Sequence, residues 1–454
     1  MIKRIEHQGE FFHGCGLPGE ERELNVHPAH PNGFQVSRDR WLFVYTTRSY
    51  RGNDDERSGV YQLRQGGITG PVIREGWLCR TRDDWDPLGD GRRYVKQLGH
   101  PVVMGVPKGA LINGGRVAHE NHFAACWRVE ARYIDPKLNF MLDVEEVPGL
   151  MQKTRHVEWV QFRLNDAEDD IEFFETARPL RQAGYEKGNA ICEQEGVRWM
   201  VQTFVPPVPY NGDCSEWVTA NNTNDPGVSP QIGERKASAG GTMKRCCVMP
   251  IRFKFNSKIM RYEWVESGAL QGEDLMEASI VPWKGDWVIS ARRSTGKTMA
   301  WARTGDLFGR EALKFVMPEN QPNWFPSSAF LCPDGEIRRA GGCIDISPYK
   351  GGRGPIYLVE IDVEREFAVR KVQEIYDGVR AGLPMQGGPL IDFPKLVAHG
   401  GGKTQYCFHR VRSQMLNDPR VPTRRLKQEE IDKSGIYWAK VEYGEDYPGY
   451  WQFA

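Results

Sequence analysis

The residues of this chain best suited to chemistry are acids and arginines at the ends of short strands. In the stretch 275–309, LMEASIVPWKGDWVISARRSTGKTMAWARTGDLFG, two runs of period-2 alternation flank the turn Lys284-Gly285-Asp286. That pattern predicts a hairpin, with a third strand after Ser294 to Lys297. Glu277 stands at the mouth of the first strand, and Arg292 and Arg293 at the end of the second. In an antiparallel hairpin those points share one end of the sheet, so opposite charges meet at a rim. Asp54 and Asp55 in the polar loop SYRGNDDERS, and Asp392 at the opening of a later hairpin, are further acids expected at that rim. Opposed carboxylates can serve as general acid and as nucleophile or base. A gap of ~5 Å suits retention at a glycosidic carbon, and ~6.5 to 9.5 Å suits inversion. Arg48, Arg293 and Arg353 are the guanidinium groups available for an acidic substrate.

Histidines form a second set. His30 opens one hairpin, and His100, His119 and His122 crowd the span 100–122. If the second strand there begins near Phe123, His119 falls in the far turn; if it ends near Val117, His119 shares the rim of His100. A single histidine in a β protein is ordinarily a satisfied structural residue, but this density makes catalysis or sugar binding an expectation, with metal binding weaker. Trp324 is a candidate for stacking on a sugar face.

These residues need elements to hold them, and the elements repeat. The plan of polar start, apolar run, turn, tryptophan or β-formers and then arginine recurs at His30 to Arg48, His100 to Arg132, Lys187 to Phe204, Ser327 to Gly341 and Asp392 to Val411. Degenerate repeats of this sort predict an all-β chain, a six-bladed β-propeller in one domain over 1–454. The segment Gly435 to Gly444 supplies a third strand for the last blade but no fourth, so the N-terminal strand is expected to complete that blade and close the ring. Loop insertions are expected near 80–95, 134–155, 206–241 and 416–433. Tyr210 and Trp217 of the third are possible stacking groups on a lid or wall.

Composition sets bounds. Lys plus Arg and Asp plus Glu number 60 each, which leaves no electrostatic footprint for nucleic acid. No apolar run is long enough for a membrane span, and the start MIKRIEHQGE lacks a signal-peptide core, so a cytoplasmic chain is expected. The ten cysteines show no CxxC spacing, which argues for structural thiols and against a zinc framework. The run Ser294 to Thr298 lacks the upstream glycine of a phosphate loop, with Ala291 in that place. No cofactor is expected.

The 275–309 segment resembles the sialidase, or BNR-repeat, superfamily, whose blades open with a Glu, turn on a Gly and end in an Arg. Thr304 to Gly309 is similar to its Ser-x-Asp-x-Gly turn. The resemblance implies a six-bladed propeller in which Glu277 matches the supporting glutamate, Arg293 and Arg353 two carboxylate-binding arginines, and Asp54 or Asp55 the first-blade acid. The first-blade Arg-Ile-Pro motif is absent, with His30-Pro31-Asn32 in its region, and Asp392-Phe393 stands where a tyrosine nucleophile is expected. A glycan therefore remains the implied substrate, with sialic acid disfavoured, and hydrolysis the implied reaction. A propeller lyase of the ulvan-lyase kind is the alternative, since His100, His119, Tyr185 and Arg198 are similar in type and order to its residues. A non-catalytic glycan-binding propeller is the third.

Overall fold

The computed structural model describes residues 1–12, 27–48, 56–80, 85–138, 140–142, 147, 150, 154–185, 205–224, 246–272, 275–293, 299–309, 311, 313–318, 328–342, 354–383, 389–397, 401–413, 427–447 and 449–454. They form antiparallel sheets. We number the six main ones along the chain, with the last containing both chain ends. The first joins His27–Gln35, Arg40–Arg48, Glu56–Gln65 and Val72–Cys79. The second is built on Tyr94–Val106, His122–Asp135, His156–Leu164 and Ile171–Phe173. The third joins Val208–Pro209, Glu216–Asn224, Cys246–Asn256 and Arg261–Ser267. The fourth joins Leu275–Trp283, Asp286–Arg293 and Met299–Thr304, and the fifth Ser328–Leu331, Ile337–Gly342, Ile356–Asp362 and Ala368–Tyr376. The sixth joins Pro389–Val397, Gly402–Ser413, Gly435–Tyr447 and, outermost, Ile2–Phe12.

Local chemistry accounts for the hairpins. Lys284 (φ 48°) and Gly285 (φ 87°) are both left-handed. That is the two-residue turn whose twist matches the strands it joins, and glycine makes the second position cheap. The paired strands alternate because each buries both faces, but in different cores. Leu42 and Val44 pack with Leu98 and Val102 of the second sheet, whereas Phe43 and Tyr45 pack with Val397 and Phe408 of the sixth. Val218 and Ala220 pack with Ile280 and Ile289, and Val288 with Ala329 and Ile337. Cys407 and Val411 pack with Ala340 and Leu358. A sheet covered on both faces reads as near-continuous apolar runs, which is why the strands stand out in the sequence.

The N-terminal strand pairs with Gly435–Tyr447, Ile5 opposite Val441 and Glu10 opposite Tyr437, as expected. The insertion expected at 206–241 is corrected in its first part. Glu216–Asn224 is a nine-residue strand paired with Cys246–Asn256, and Trp217 is fully buried rather than a stacking group on a wall. Tyr210 stacks on Trp287 at 5.5 Å beneath Arg252, so it too is packed. The polar run Asn221 to Asn224 hid the strand. The repeat expected at Lys187 to Phe204 lies wholly outside the described residues. Segment 416–433 includes one short helix, Gln428–Asp432. Among the described residues no helix is long and apolar enough to cross a membrane.

Candidate active site

The first strands of four sheets share an irregularity. Pairing slips between Ala29 and Asn32, Gly99 and Val102, Met276 and Ser279, and Asp392 and Lys395. Each slip contains a left-handed residue: His30 (φ 50°), His100 (φ 55°), Glu277 (φ 53°) and Phe393 (φ 52°). These are β-bulges, which re-aim a side chain where an extra residue enters one strand. Proline follows three of them, Pro31, Pro101 and Pro394, because a bulge tolerates a residue that cannot donate to the ladder. Non-glycine residues at positive φ cost roughly 1 kcal/mol or more, and such strain gathers at functional sites.

The bulged residues converge. The rings of His30 and His100 lie 3.6 Å apart, and the Phe393 ring meets them edge-on at 4.4 and 5.0 Å. The Arg410 guanidinium lies 4.5 Å over Phe393 and holds both Asp392 oxygens, at 2.7 and 2.8 Å. The Thr46 hydroxyl lies within hydrogen-bond distance of both the Ala29 carbonyl (3.2 Å) and His30 Nδ1 (3.1 Å). Burial pushes the His100 imidazole well below its usual pKa, and the charges of His30, Arg128, Lys395 and Arg410 push the same way. His100 is neutral at pH 7.

Arginines occupy one position in three sheets. Opposite the residue preceding the bulge stand Arg128 (facing Gly99), Arg292 (facing Met276) and Arg410 (facing Asp392), with Thr46 facing Ala29 in the first sheet. Their compensation differs. Arg410 is fully buried with its own bidentate acid, and Arg292 reaches both Glu277 oxygens at 3.1 and 3.3 Å. Arg128 has Gly99 opposite and shares the Glu130 carboxylate, at 3.8 Å, with Arg132 at 2.7 Å and Arg155 at 2.5 Å. A Cβ on Gly99 would meet the Arg128 guanidinium at 3.1 Å, so glycine lets that side chain lie across the strand.

Below the bulges, polar groups bridge neighbouring sheets. Asn32 Nδ2 reaches the Pro101 carbonyl (3.4 Å), the Ala329 amide donates to Ser279 Oγ (3.0 Å), and Lys395 Nζ donates to Ser328 Oγ (3.3 Å). Burial lowers Lys395 to about 7, with Glu277 opposing that shift, so these two side chains feel one another.

His30, His100, Glu277 and Asp392 of the expected residues therefore stand on the bulged strands. Asp392 is not an open carboxylate but the buried partner of Arg410. Arg293 ends the same strand opposite Leu275, and its neighbour Arg292 is the one that pairs with Glu277. His119 is corrected outright. The second strand begins at His122, so His119 lies in the far turn, about 20 Å along the ladder from His100, bonded to the Asp213 carbonyl (2.9 Å) and packed near Phe255. The backbone of Arg48 ends its strand opposite His27. Asp54, Asp55, Trp324 and Arg353 lie outside the described residues. Among the described residues no group of three or more His, Cys, Asp or Glu is placed to hold a metal.

No family model matches the chain, and no curated protein matches it. Solved structures do. A protein of unknown function from Dyadobacter fermentans superposes with a TM-score of 0.51 at 12% identity, covering 97% of this chain and 100% of the other. A Trypanosoma rangeli sialidase mutant displaying trans-sialidase activity gives 0.53 at 9% identity, covering 97% of this chain and 58% of that one. A mutant of the NanB sialidase of Streptococcus pneumoniae gives 0.52 at 7%, covering 97% and 71%. The chain has a sialidase-like fold. It spans just over half the length of the trypanosomal enzyme. Arg128, Arg410, Lys395 and Thr46 also stand at the bulge level and are not among the residues the sequence singled out. Two signals mark such positions: proline inside an apolar strand, which marks a bulge, and charges inside an apolar run, as Asp392 and Lys395 in Leu390 to Val397.

Proposed function

We propose that this chain is a carbohydrate-active enzyme that hydrolyses an acidic glycan at the centre of six blades, one domain closed into a ring by Ile2–Phe12. The observation that carries the reading is the repeated arginine at the bulge level, Arg128, Arg292 and Arg410 at one position in three sheets. A guanidinium of that kind takes a carboxylate in two parallel hydrogen bonds. Glu277, held by Arg292, is the carboxylate for the base or nucleophile-supporting role, and Asp54 or Asp55 is assigned the acid role. The acid protonates the departing glycosidic oxygen while water attacks the anomeric carbon and gives its proton to the base, or a side chain attacks first and water, deprotonated by the former acid, then cleaves the glycosyl-enzyme bond. Asp392 acts through Arg410, which it holds in place. Glu277→Gln should abolish release of new reducing ends while leaving the circular dichroism spectrum unchanged; full activity in that variant would overturn the assignment.

A second reading has its own support. The neutral His100 against His30 is a base of the type that removes the proton beside a uronate carboxylate while an arginine neutralises the developing charge. That route gives an unsaturated product absorbing near ~235 nm, which hydrolysis does not. Binding without either product would favour a glycan-binding propeller.

A further inference from the structure

In the third sheet the pairing of Val208–Pro209 with Glu216–Asn224 shows no bulge among the described residues, yet the sheet fills the arginine position. Trp217 lies opposite Pro209 as Trp287 lies opposite Pro282 and Trp41 opposite Gln35. Counting on from each tryptophan, Asn222 falls where Arg292 and Thr46 fall. The facing agrees. Val218 and Ala220, on the side of Asn222, pack towards the fourth sheet. Val288, on the side of Arg292, packs towards the fifth, and Leu42 and Val44, on the side of Thr46, pack towards the second. In strands, residues two apart share a face, so Asn222 points as Arg292 and Thr46 do.

The chemistry there is unfinished. Asn222 is 1% exposed, and neither its carboxamide oxygen nor its nitrogen has a hydrogen-bond partner among the described residues. A buried amide in that state carries a desolvation penalty that a ligand offering one donor and one acceptor would relieve. Asn221 is as buried and also lacks partners, but it faces the opposite way and serves as an internal comparison.

We infer that Asn222 is a specificity-determining residue of the central site, its carboxamide receiving a neutral donor–acceptor substituent of the bound sugar, a hydroxyl or an acylamino group. This rests on the glycan reading above. The arginines at equivalent positions take charge; Asn222 takes a group without it. A site built to hydrogen-bond such a group discriminates strongly against the analogue lacking it, because its own amide is then left unpaired.

The test compares wild type, Asn222→Leu, Asn222→Asp and Asn221→Leu. Each is titrated with, and assayed on, 4-methylumbelliferyl glycosides of glucuronic acid, of its deoxy analogues and of an N-acetylated acidic sugar, with thermal melts in parallel. Asn222→Leu should raise the melting midpoint, because it removes a buried unpaired amide, and should lower affinity or kcat/KM for the favoured probe about tenfold to a hundredfold. Its effect on the analogue lacking the recognised group should be under about threefold, and which analogue this is separates hydroxyl from acylamino. Asn222→Asp should discriminate differently from wild type by losing a donor, and Asn221→Leu should discriminate as wild type does. If wild type neither binds nor cleaves any probe, the glycan reading fails and takes this inference with it. If wild type is active and Asn222→Leu keeps its discrimination, or melts lower or fails to fold while Asn221→Leu folds, Asn222 is structural and this inference alone is overturned.

Discussion

Gly99 and Asp392 occupy the same place in two sheets and set opposite fates for the arginine facing them. Asp392 neutralises Arg410 in a fully buried fork, and removing one partner of such a pair strands the other charge, at a cost of about 3–5 kcal/mol. Asp392→Asn should therefore lower stability markedly in a denaturant titration, and its effect on activity should follow from Arg410 losing its hold. Gly99 instead clears space for Arg128. Gly99→Ala puts a methyl 3.1 Å from that guanidinium, which must shift. The expected result is a rise in KM or Kd for carboxylated glycans of about tenfold, with melting little changed, measured beside Arg128→Lys, which keeps the charge but loses the fork. Equal binding by both variants would remove Arg128 from the carboxylate site.

Elements explain why these residues were only partly legible. The period-2 runs and the Lys284-Gly285 turn marked the hairpins, since alternation and turn chemistry are local. The bulges leave only a faint sequence signal, Pro31, Pro101 and Pro394 inside strand-like runs, and a one-residue slip decides which residue of the facing strand a side chain meets, as Glu277 meets Arg292. His119 was ambiguous because a strand boundary cannot be fixed from composition when Val117 to His122 mixes polar and apolar residues. Glu216–Asn224 was read as loop because its polar Asn residues outweighed Trp217, whose burial is a tertiary fact. Trp217→Ala should cost about 3–5 kcal/mol, as large aromatic truncations in a core do, read from the shift in denaturant midpoint. A second element-level effect concerns the seam between the N-terminal strand and the fifth sheet. His7 stacks on Tyr376 at 3.9 Å, and His409 lies within 6.0 Å of His7 and 5.1 Å of Tyr376. Burial lowers His7 to about 4, and lowers His409 to about 3 against a raising influence from Asp392. The unfolded chain takes up these protons below its own histidine pKa near ~6.5 while the folded chain does not, so stability falls with pH below that value and is unaffected above it. For fully buried His409 the slope is ~1.4 kcal/mol per pH unit. His409→Asn should flatten the fall between pH 6 and pH 5, above the range where carboxylates contribute, and an unchanged slope in chemical denaturation would count against this account.

At the scale of the whole molecule, the outermost strand of the sixth sheet comes from the opposite end of the chain. Ile2–Phe12 satisfies the backbone of Gly435–Tyr447 from Ile436 to Tyr443, and its Phe11 ring packs on Phe43 of the first sheet (4.9 Å) and Phe408 of the sixth (4.7 Å). The strand therefore touches the first, fifth and sixth sheets while two strands separate it from the bulged Pro389–Val397. Deleting residues 1–12 would leave a long unpaired edge at Gly435–Tyr447, the kind of surface that recruits other chains. It should lower the melting midpoint and promote aggregation, yet leave the His30, His100 and Arg410 contacts unaltered in molecules that remain folded. A synthetic peptide of residues 1–12 added in trans should restore the midpoint in a concentration-dependent way, because a ligand of the native state stabilises by mass action. Scanning calorimetry with and without the peptide makes the measurement, and a truncated chain that melts as the full one does would show that the strand is not what holds the sixth sheet to its neighbours.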